Sequence, residues 1–316
     1  MPALRVLSPG FQTTVQDRGR FGFAQVGLSP AGAADPVAFR LGHLLVGNDG
    51  TAASLEMTLV GGTFEFEARG VIAITGADCE PTLDHQPMPL WTSVPVRAGQ
   101  TLQCRAMKDG ARSYLSLRGG LIVSKVMGSR STHLQSGIGG FDGRRLKKGD
   151  WLEIGGAADA EEKRRRTVRP EVKQYLAEKS ILRVTAAPQT PQFPKGARDL
   201  FSRSVYTVSE ASNRVGLRLK GPPIVREKPE ELLTEGISVG AVQLPADGQP
   251  MILFVEHPTT GGYPKIANVL SADLCKVGQL RPHDPVRFEW IDFEAAIAAL
   301  RIQTGAIGPD ALQPEK

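Results

Sequence analysis

Thr259-Thr260-Gly261-Gly262-Tyr263-Pro264-Lys265-Ile266 gathers hydroxyls, two bare backbone units, a phenol and an ammonium into one short stretch. The apolar run Pro250-Met251-Ile252-Leu253-Phe254-Val255 leads into it. Loops that follow strands are common places for binding groups. A glycine pair there permits positive φ and close approach of a ligand to the backbone, Pro264 stiffens the exit, and Lys265 sets a cation beside the opening. The same glycines and proline also suit a purely structural turn.

Two further clusters bear on chemistry. Gln16-Asp17-Arg18-Gly19-Arg20 crowds a carboxylate and two guanidinium groups around a glycine. Either the arginines receive a ligand carboxylate, or an Asp17–Arg20 bridge pins a turn. Gly128-Ser129-Arg130-Ser131-Thr132 offers hydroxyls, an arginine and consecutive backbone N–H groups. That set suits an anion in a backbone nest or a plain polar turn. It lacks the Gly-Lys-Ser/Thr ending of a phosphate-binding P-loop.

Other chemistries find little support. His43, His85, His133, His257 and His283 show no metal-ligand spacing, and no metal site is expected. A Gly-x-Ser-x-Gly elbow is missing, which argues against an ordinary serine hydrolase. Cys79, Cys104 and Cys275 are odd in number and widely spaced, which fits a reducing, cytoplasmic compartment rather than a disulfide framework. Ala106-Met107-Lys108-Asp109 is similar to the Ala-Met-Lys-Met of biotin carriers but lacks the last Met, and Lys108-Asp109-Gly110 reads as a hairpin turn.

The elements that must position these groups are mostly short strands. Gly240–Leu244 and the Met251 run flank Pro245-Ala246-Asp247-Gly248-Gln249-Pro250, a reverse-turn composition. Leu55, Met57 and Leu59 alternate, as do Val286, Phe288 and Trp290. One early helix is expected, with Asp35 as N-cap, Pro36 at the first helical position, Gly47-Asn48 as the stop, and Val37, Leu41, Leu44 and Leu45 on one face. A second begins after Asp292 and runs to about residue 302, and the tail from Gly305 reads as frayed.

A chain of 316 residues can bury a large core and divide in two. The expected division is a β-barrel-like half over 1–156, a charged linker over 157–180 with a short helix near 171–178, a second β-barrel-like half over 181–292, and a terminal helix and tail over 293–316. The net charge of +5 is concentrated near Lys163-Arg164-Arg165-Arg166. With acidic neighbours and no interleaved aromatics, that run reads as a solvated linker rather than a nucleic-acid or membrane patch. No apolar run is long enough to span a bilayer.

The loop, both clusters, Ala31-Gly32-Ala33-Ala34-Asp35, Thr75-Gly76-Ala77-Asp78, Ser212–Leu219 and Glu235–Gln243, taken in order, resemble the biotin-dependent carboxyltransferase-like family. That family includes the C subunit of 5-oxoprolinase, allophanate hydrolase subunit 2 and the Kip A antagonist. The resemblance implies a mainly β protein with two cyclophilin-like β-barrel subdomains and a few short helices. It implies one component of an ATP-dependent 5-oxoprolinase-type amidohydrolase, working with a B-like (Kip I-like) protein and an A-like protein. ATP would be bound with or by those partners. The alternatives are a carboxyltransferase component of a urea carboxylase/allophanate system, its biotin supplied by a separate carrier, or a non-catalytic antagonist of a Kip I-like kinase inhibitor. On the first reading Lys265 and Arg20 hold substrate carboxylate or phosphate. Thr260, Gly261 and Gly262 supply hydrogen bonds, Tyr263 orients the ring, Glu256 is the general base, and Asp17, Ser129 and Arg130 complete the substrate-binding set. Relatives usually carry an Asp and a Gln just before the loop, where this chain has Glu256-His257-Pro258.

Overall fold

The structure is a computed structural model that describes residues 3–156, 165–225 and 232–315. It divides into two compact units. The first takes Met1–Arg20, Ala31–Tyr175 and Ala306–Lys316, and the second takes Phe21–Pro30 and Leu176–Gly305. The chain thus lends a short early segment to the second unit and returns to the first at its end.

In the first unit most of the strands form two sheets. A seven-stranded sheet runs in the order Leu121–Ile122, Trp151–Ile154, Ala3–Ser8, Thr63–Phe66, Thr101–Gln103, Thr82–Leu83, Gln86–Pro87. A five-stranded sheet runs Gln12–Gln16, Ser54–Thr58, Arg112–Leu117, Gly70–Gly76, Ser93–Val96. Alternating residues bury one face: Leu4 and Val6, Phe64 and Phe66, Leu55 and Met57, and Ile72 and Ile74 join one apolar core. Each such side chain contributes about 1.5–3 kcal/mol on full burial.

The early helix forms as its caps predict, over Pro36–Val46. Asp35 Oδ1 accepts from Val37 N at 3.0 Å and Ala38 N at 2.9 Å, and Gly47 ends the helix at φ +78°. Val37, Leu41 and Leu45 are buried, while Leu44 is only half-buried.

The second unit is built on a closed barrel in the order Ile181–Ala186, Lys265–Val269, Ala241–Gln243, Met251–Leu253, Gly216–Lys220, Tyr206–Val208, Pro285–Trp290. Closure is made by a parallel pairing of Ile181–Ala186 with Pro285–Trp290, Leu182 opposite Phe288. The expected reverse turn forms, with Gly248 N donating to Pro245 O at 3.0 Å and Gln249 N to Asp247 Oδ1 at 3.0 Å. Phe201 stacks on Phe288 at 4.3 Å between ring centroids.

The linker and tail depart from a simple reading. Residues 157–164, which hold Lys163 and Arg164 of the basic run, lie outside the described residues. Arg166–Val168 is a strand and Pro170–Ala177 a helix. The tail is not frayed: Leu312–Pro314 pairs antiparallel with Arg166–Val168, and Arg166 Nη2 donates to Leu45 O at 2.9 Å. A strand supplied by one stretch satisfies the backbone of the other, a long-range pairing that neither composition announces. The terminal helix runs Phe293–Ala306, with Asp292 Oδ1 accepting from Ala295 N at 2.7 Å. Among the described residues no helix is long and apolar enough to cross a membrane.

Candidate functional site

In the first unit the two predicted clusters meet. Ser129 Oγ and Ser131 Oγ donate to Asp17 Oδ1 at 2.6 and 2.5 Å, and Arg130 N donates to Oδ2 at 2.6 Å. Gly19 N adds a bond to Oδ1 at 2.8 Å. The nest read at Gly128–Thr132 therefore has an anion, and that anion is Asp17. Burial alone would raise the Asp17 carboxyl, but bonds from Ser129, Ser131, Arg130 and Gly19 outweigh it and hold the group below its ordinary value.

Arg20 serves the same loop. It is buried, with Nη2 donating to Ser131 O and Nε to Val126 O at 3.5 Å. A Cβ at Gly139 would sit 2.2 Å from Ser131 O and 2.5 Å from Arg20 Nη2, so the loop is packed against bare backbone. Arg130 differs: it is half-buried, and its Nε has no hydrogen-bond partner among the described residues. Of this cluster, exposed Arg18 and half-buried Arg130 are less committed to holding the fold than buried Arg20.

The first unit also holds a Ser-His-Asn arrangement that is not a nucleophile. Asn48 Nδ2 donates to Leu117 O at 2.7 Å and lies 3.1 Å from His43 Nδ1, so Nδ1 accepts. His43 Nε2 then carries the hydrogen and donates to Ser54 Oγ at 3.0 Å, the reverse of what a general base needs. Burial pushes His43 down to about 4.

In the second unit the predicted loop is anchored on both sides. Thr260–Gly261 pairs with Glu235–Gly236, and Lys265–Val269 enters the barrel beside Ala241–Gln243. Leu244 N donates to Pro264 O at 2.9 Å. Thr260, Gly262 and Tyr263 are exposed at the surface, Tyr263 by 52%. Gly261 allows the close approach: a Cβ there would lie 2.5 Å from Ile237 Cδ1 and 3.2 Å from Gln243 Nε2.

Lys265 is buried, and its ammonium is bonded to Glu235 Oε1. Gln189 Nε2 donates to the same oxygen at 2.7 Å. The Lys265 ammonium beside Glu235 holds its carboxyl below the ordinary range. Glu256, expected as a general base, is 1% exposed, with Oε1 2.5 Å from Arg214 Nε. Glu256 N also donates to Arg214 O at 2.8 Å. A proton taken by Glu256 would remove the charge that Arg214 meets at 2.5 Å, so the geometry suits an anchor under the loop. His257 Nδ1 donates to Pro258 O at 2.8 Å, which leaves Nε2 with the lone pair. Burial holds His257 below its usual value and keeps it neutral, although the Pro258 bond opposes this.

Glu235, Gln189 and Gln243 were not singled out as site residues by sequence reasoning. Glu235 and Gln243 lie in the segment that carried the family resemblance, and nothing local marks Gln189. Lys108, of the biotin-carrier-like tetrapeptide, is ion-paired with Glu80 at 2.7 Å. No group of three or more His, Cys, Asp and Glu side chains among the described residues is placed to hold a metal ion.

A family model described as carboxyltransferase domain, subdomain A and B, matches residues 26–290. The chain is 43% identical over 302 residues to the C subunit of 5-oxoprolinase from Escherichia coli K12, covering 95% of each chain. It is 34% identical over 291 residues to the protein of the same name from Haemophilus influenzae, covering 92% of each. Among solved structures, the urea carboxylase of Kluyveromyces lactis matches with a TM-score of 0.91 at 30% identity, over 99% of this chain and 30% of that one. The chain spans under a third of that enzyme.

Proposed function

The chain belongs to the carboxyltransferase family of subdomains A and B, and from that membership we propose that it is one subunit of a multi-subunit, ATP-dependent 5-oxoprolinase that opens 5-oxoproline to glutamate. The observation that carries this reading is the end-to-end likeness to the C subunit of 5-oxoprolinase, 43% identical with 95% of both chains covered. The partners are a B-like (Kip I-like) protein and an A-like protein. Three buried free cysteines accord with a cytoplasmic setting.

Lactam opening is slow because amide resonance must be broken. Transfer of the ATP γ-phosphoryl group to the lactam oxygen makes the ring carbon an electrophile. Water then adds to that carbon, the ring C–N bond breaks with a proton passing to nitrogen, and phosphate leaves. ATP enters as a reactant, and its site is assigned to the partners, because the nest that would suit phosphate in this chain is filled by Asp17. Lys265 holds the substrate carboxylate or the transferred phosphoryl group, with Glu235 keeping the ammonium in place beforehand. The bare backbone of Gly261 and Gly262 and the Thr260 hydroxyl hydrogen-bond the substrate. Tyr263 covers the ring. In the first unit, exposed Arg18 and half-buried Arg130 are the cations of this cluster available to an anionic ligand.

The test is reconstitution with both partners. ADP and glutamate should appear in step, only when 5-oxoproline and all three proteins are present. Lys265→Ala should lower kcat by about 10²–10³, the usual loss when one electrostatic donor to a developing charge is removed. Wild-type turnover by Lys265→Ala would sink the role given to Lys265. A second reading rests on the TM-score of 0.91 to urea carboxylase: the same loop would receive carboxybiotin from a separate carrier. A requirement for bicarbonate and a biotinylated carrier, with urea as acceptor, would establish that reading instead.

A further inference from the structure

Resting on the lactam-opening reading, we infer that Gln243 is a substrate-positioning residue whose carboxamide donates to the uncharged carbonyl oxygen of the lactam beneath the Gly261–Gly262 turn. Gln243 lies in the barrel strand Ala241–Gln243, opposite Met251 on one side and Lys265 on the other. It is 2% exposed, and its Nε2 has no hydrogen-bond partner among the described residues. That nitrogen is 3.2 Å from the place a Cβ on Gly261 would take, beside Ile237 Cδ1 at 2.5 Å from the same place, so the carboxamide lies against the bare backbone of one of the loop's two glycines.

A buried amide donor left without a partner is costly, and a barrel strand flanked by Val242, Ile252 and Ile266 could hold an apolar side chain at this position instead. Such a group calls for an explanation, and the chemistry of its neighbours narrows it. The Lys265 ammonium is bonded to Glu235 Oε1, and the Gln189 amide donates to the same oxygen. The donor that remains is neutral. A neutral N–H suits an uncharged amide oxygen better than a carboxylate, which is served more strongly by a cation. Lys265 and Gln243, paired across neighbouring strands, thus divide the work: the ammonium takes charge, and the carboxamide takes the ring carbonyl.

Gln243→Leu and Gln243→Met remove the donor at similar volume. In the reconstituted three-protein complex each should lower kcat/KM for 5-oxoproline at least tenfold, mainly through KM. Each should also abolish binding of 2-pyrrolidinone seen by ligand-observed NMR on the complex without ATP, while the Tm stays level or rises because an unpaired buried amide has gone. Wild-type kcat/KM together with retained 2-pyrrolidinone binding would overturn the assignment. So would a loss of activity that merely follows a fall in Tm. If the wild-type complex does not open 5-oxoproline, the proposed function fails by itself. Gln243-dependent binding of 2-pyrrolidinone would still uphold the carbonyl site, and no binding to the wild-type complex would overturn it.

Discussion

Glu256 and Arg214 form a buried ion pair just before the functional loop, and the two ways of breaking it separate an anchor from a base. The pair closes at 2.5 Å with the side chains 1% and 3% exposed. Glu256→Gln keeps the shape and an acceptor but removes the charge, leaving a guanidinium in a nearly dry site. Removing one member of such a pair costs about 3–5 kcal/mol, whereas replacing both by apolar residues is often neutral. For a domain of this size about 1 kcal/mol moves Tm by roughly 2–4 °C. Glu256→Gln should therefore lower Tm by about 6–20 °C in differential scanning calorimetry, and Arg214→Met/Glu256→Leu should return most of it. The backbone bond from Glu256 N to Arg214 O, 2.8 Å long, survives in both variants. An anchor needs only the loop restored, so the double variant should recover at least about a tenth of wild-type turnover in the reconstituted complex. A double variant as stable as wild type yet as inactive as Glu256→Gln would refute the anchor and make Glu256 the base.

Two further expectations concern the first unit. Asp17→Asn turns an acceptor-only group into one that must present an amide N–H to a ring of donors. It should cost about 2–4 kcal/mol in urea denaturation, and an unchanged midpoint would mean that the loop does not rest on Asp17. His43 is held at about 4 against an ordinary 6.5, so the unfolded chain binds the extra proton between those values. Its contribution is complete above about pH 6.5 and is lost as pH falls toward 4, by about 3 kcal/mol at 1.36 kcal/mol per pKa unit. Wild-type stability should decline across that window and decline less in His43→Gln. Parallel profiles for the two proteins would remove His43 as the cause.

Local chemistry was legible where it was local. Asp35, Pro36 and Gly47 cap the helix Pro36–Val46 because capping is decided within one turn. The hairpin joining Ala241–Gln243 to Met251–Leu253 follows from Pro245, Asp247 and Gly248 in the same way. The tail strand was not legible, since Leu312–Pro314 is defined by a partner near residue 167 rather than by its own composition. Barrel closure is similar: the parallel register of Ile181–Ala186 on Pro285–Trp290 joins segments about a hundred residues apart.

The site divides along the same line. Residue types showed where charge and bare backbone sit, but a charge acts according to what neutralises it, and each neutraliser comes from elsewhere in the chain. Ser129, Arg130 and Ser131 looked like a receptor for an outside anion, yet Asp17 reaches them across more than a hundred residues and fills the role from within. Lys265 looked like an open cation and is bound to Glu235, thirty residues away. Glu256 looked like a base and is held by Arg214. With these charges paired inside the fold, selectivity for a substrate passes to groups whose partners are missing. In the second unit one of those groups is a carboxamide in an apolar strand beside the loop, which periodicity would count as core. A buried Gln243 with no partner for its Nε2 becomes visible only when every neighbour's hydrogen bonds are known, and so the residue given the most specific role here is the one that sequence pattern was least able to mark.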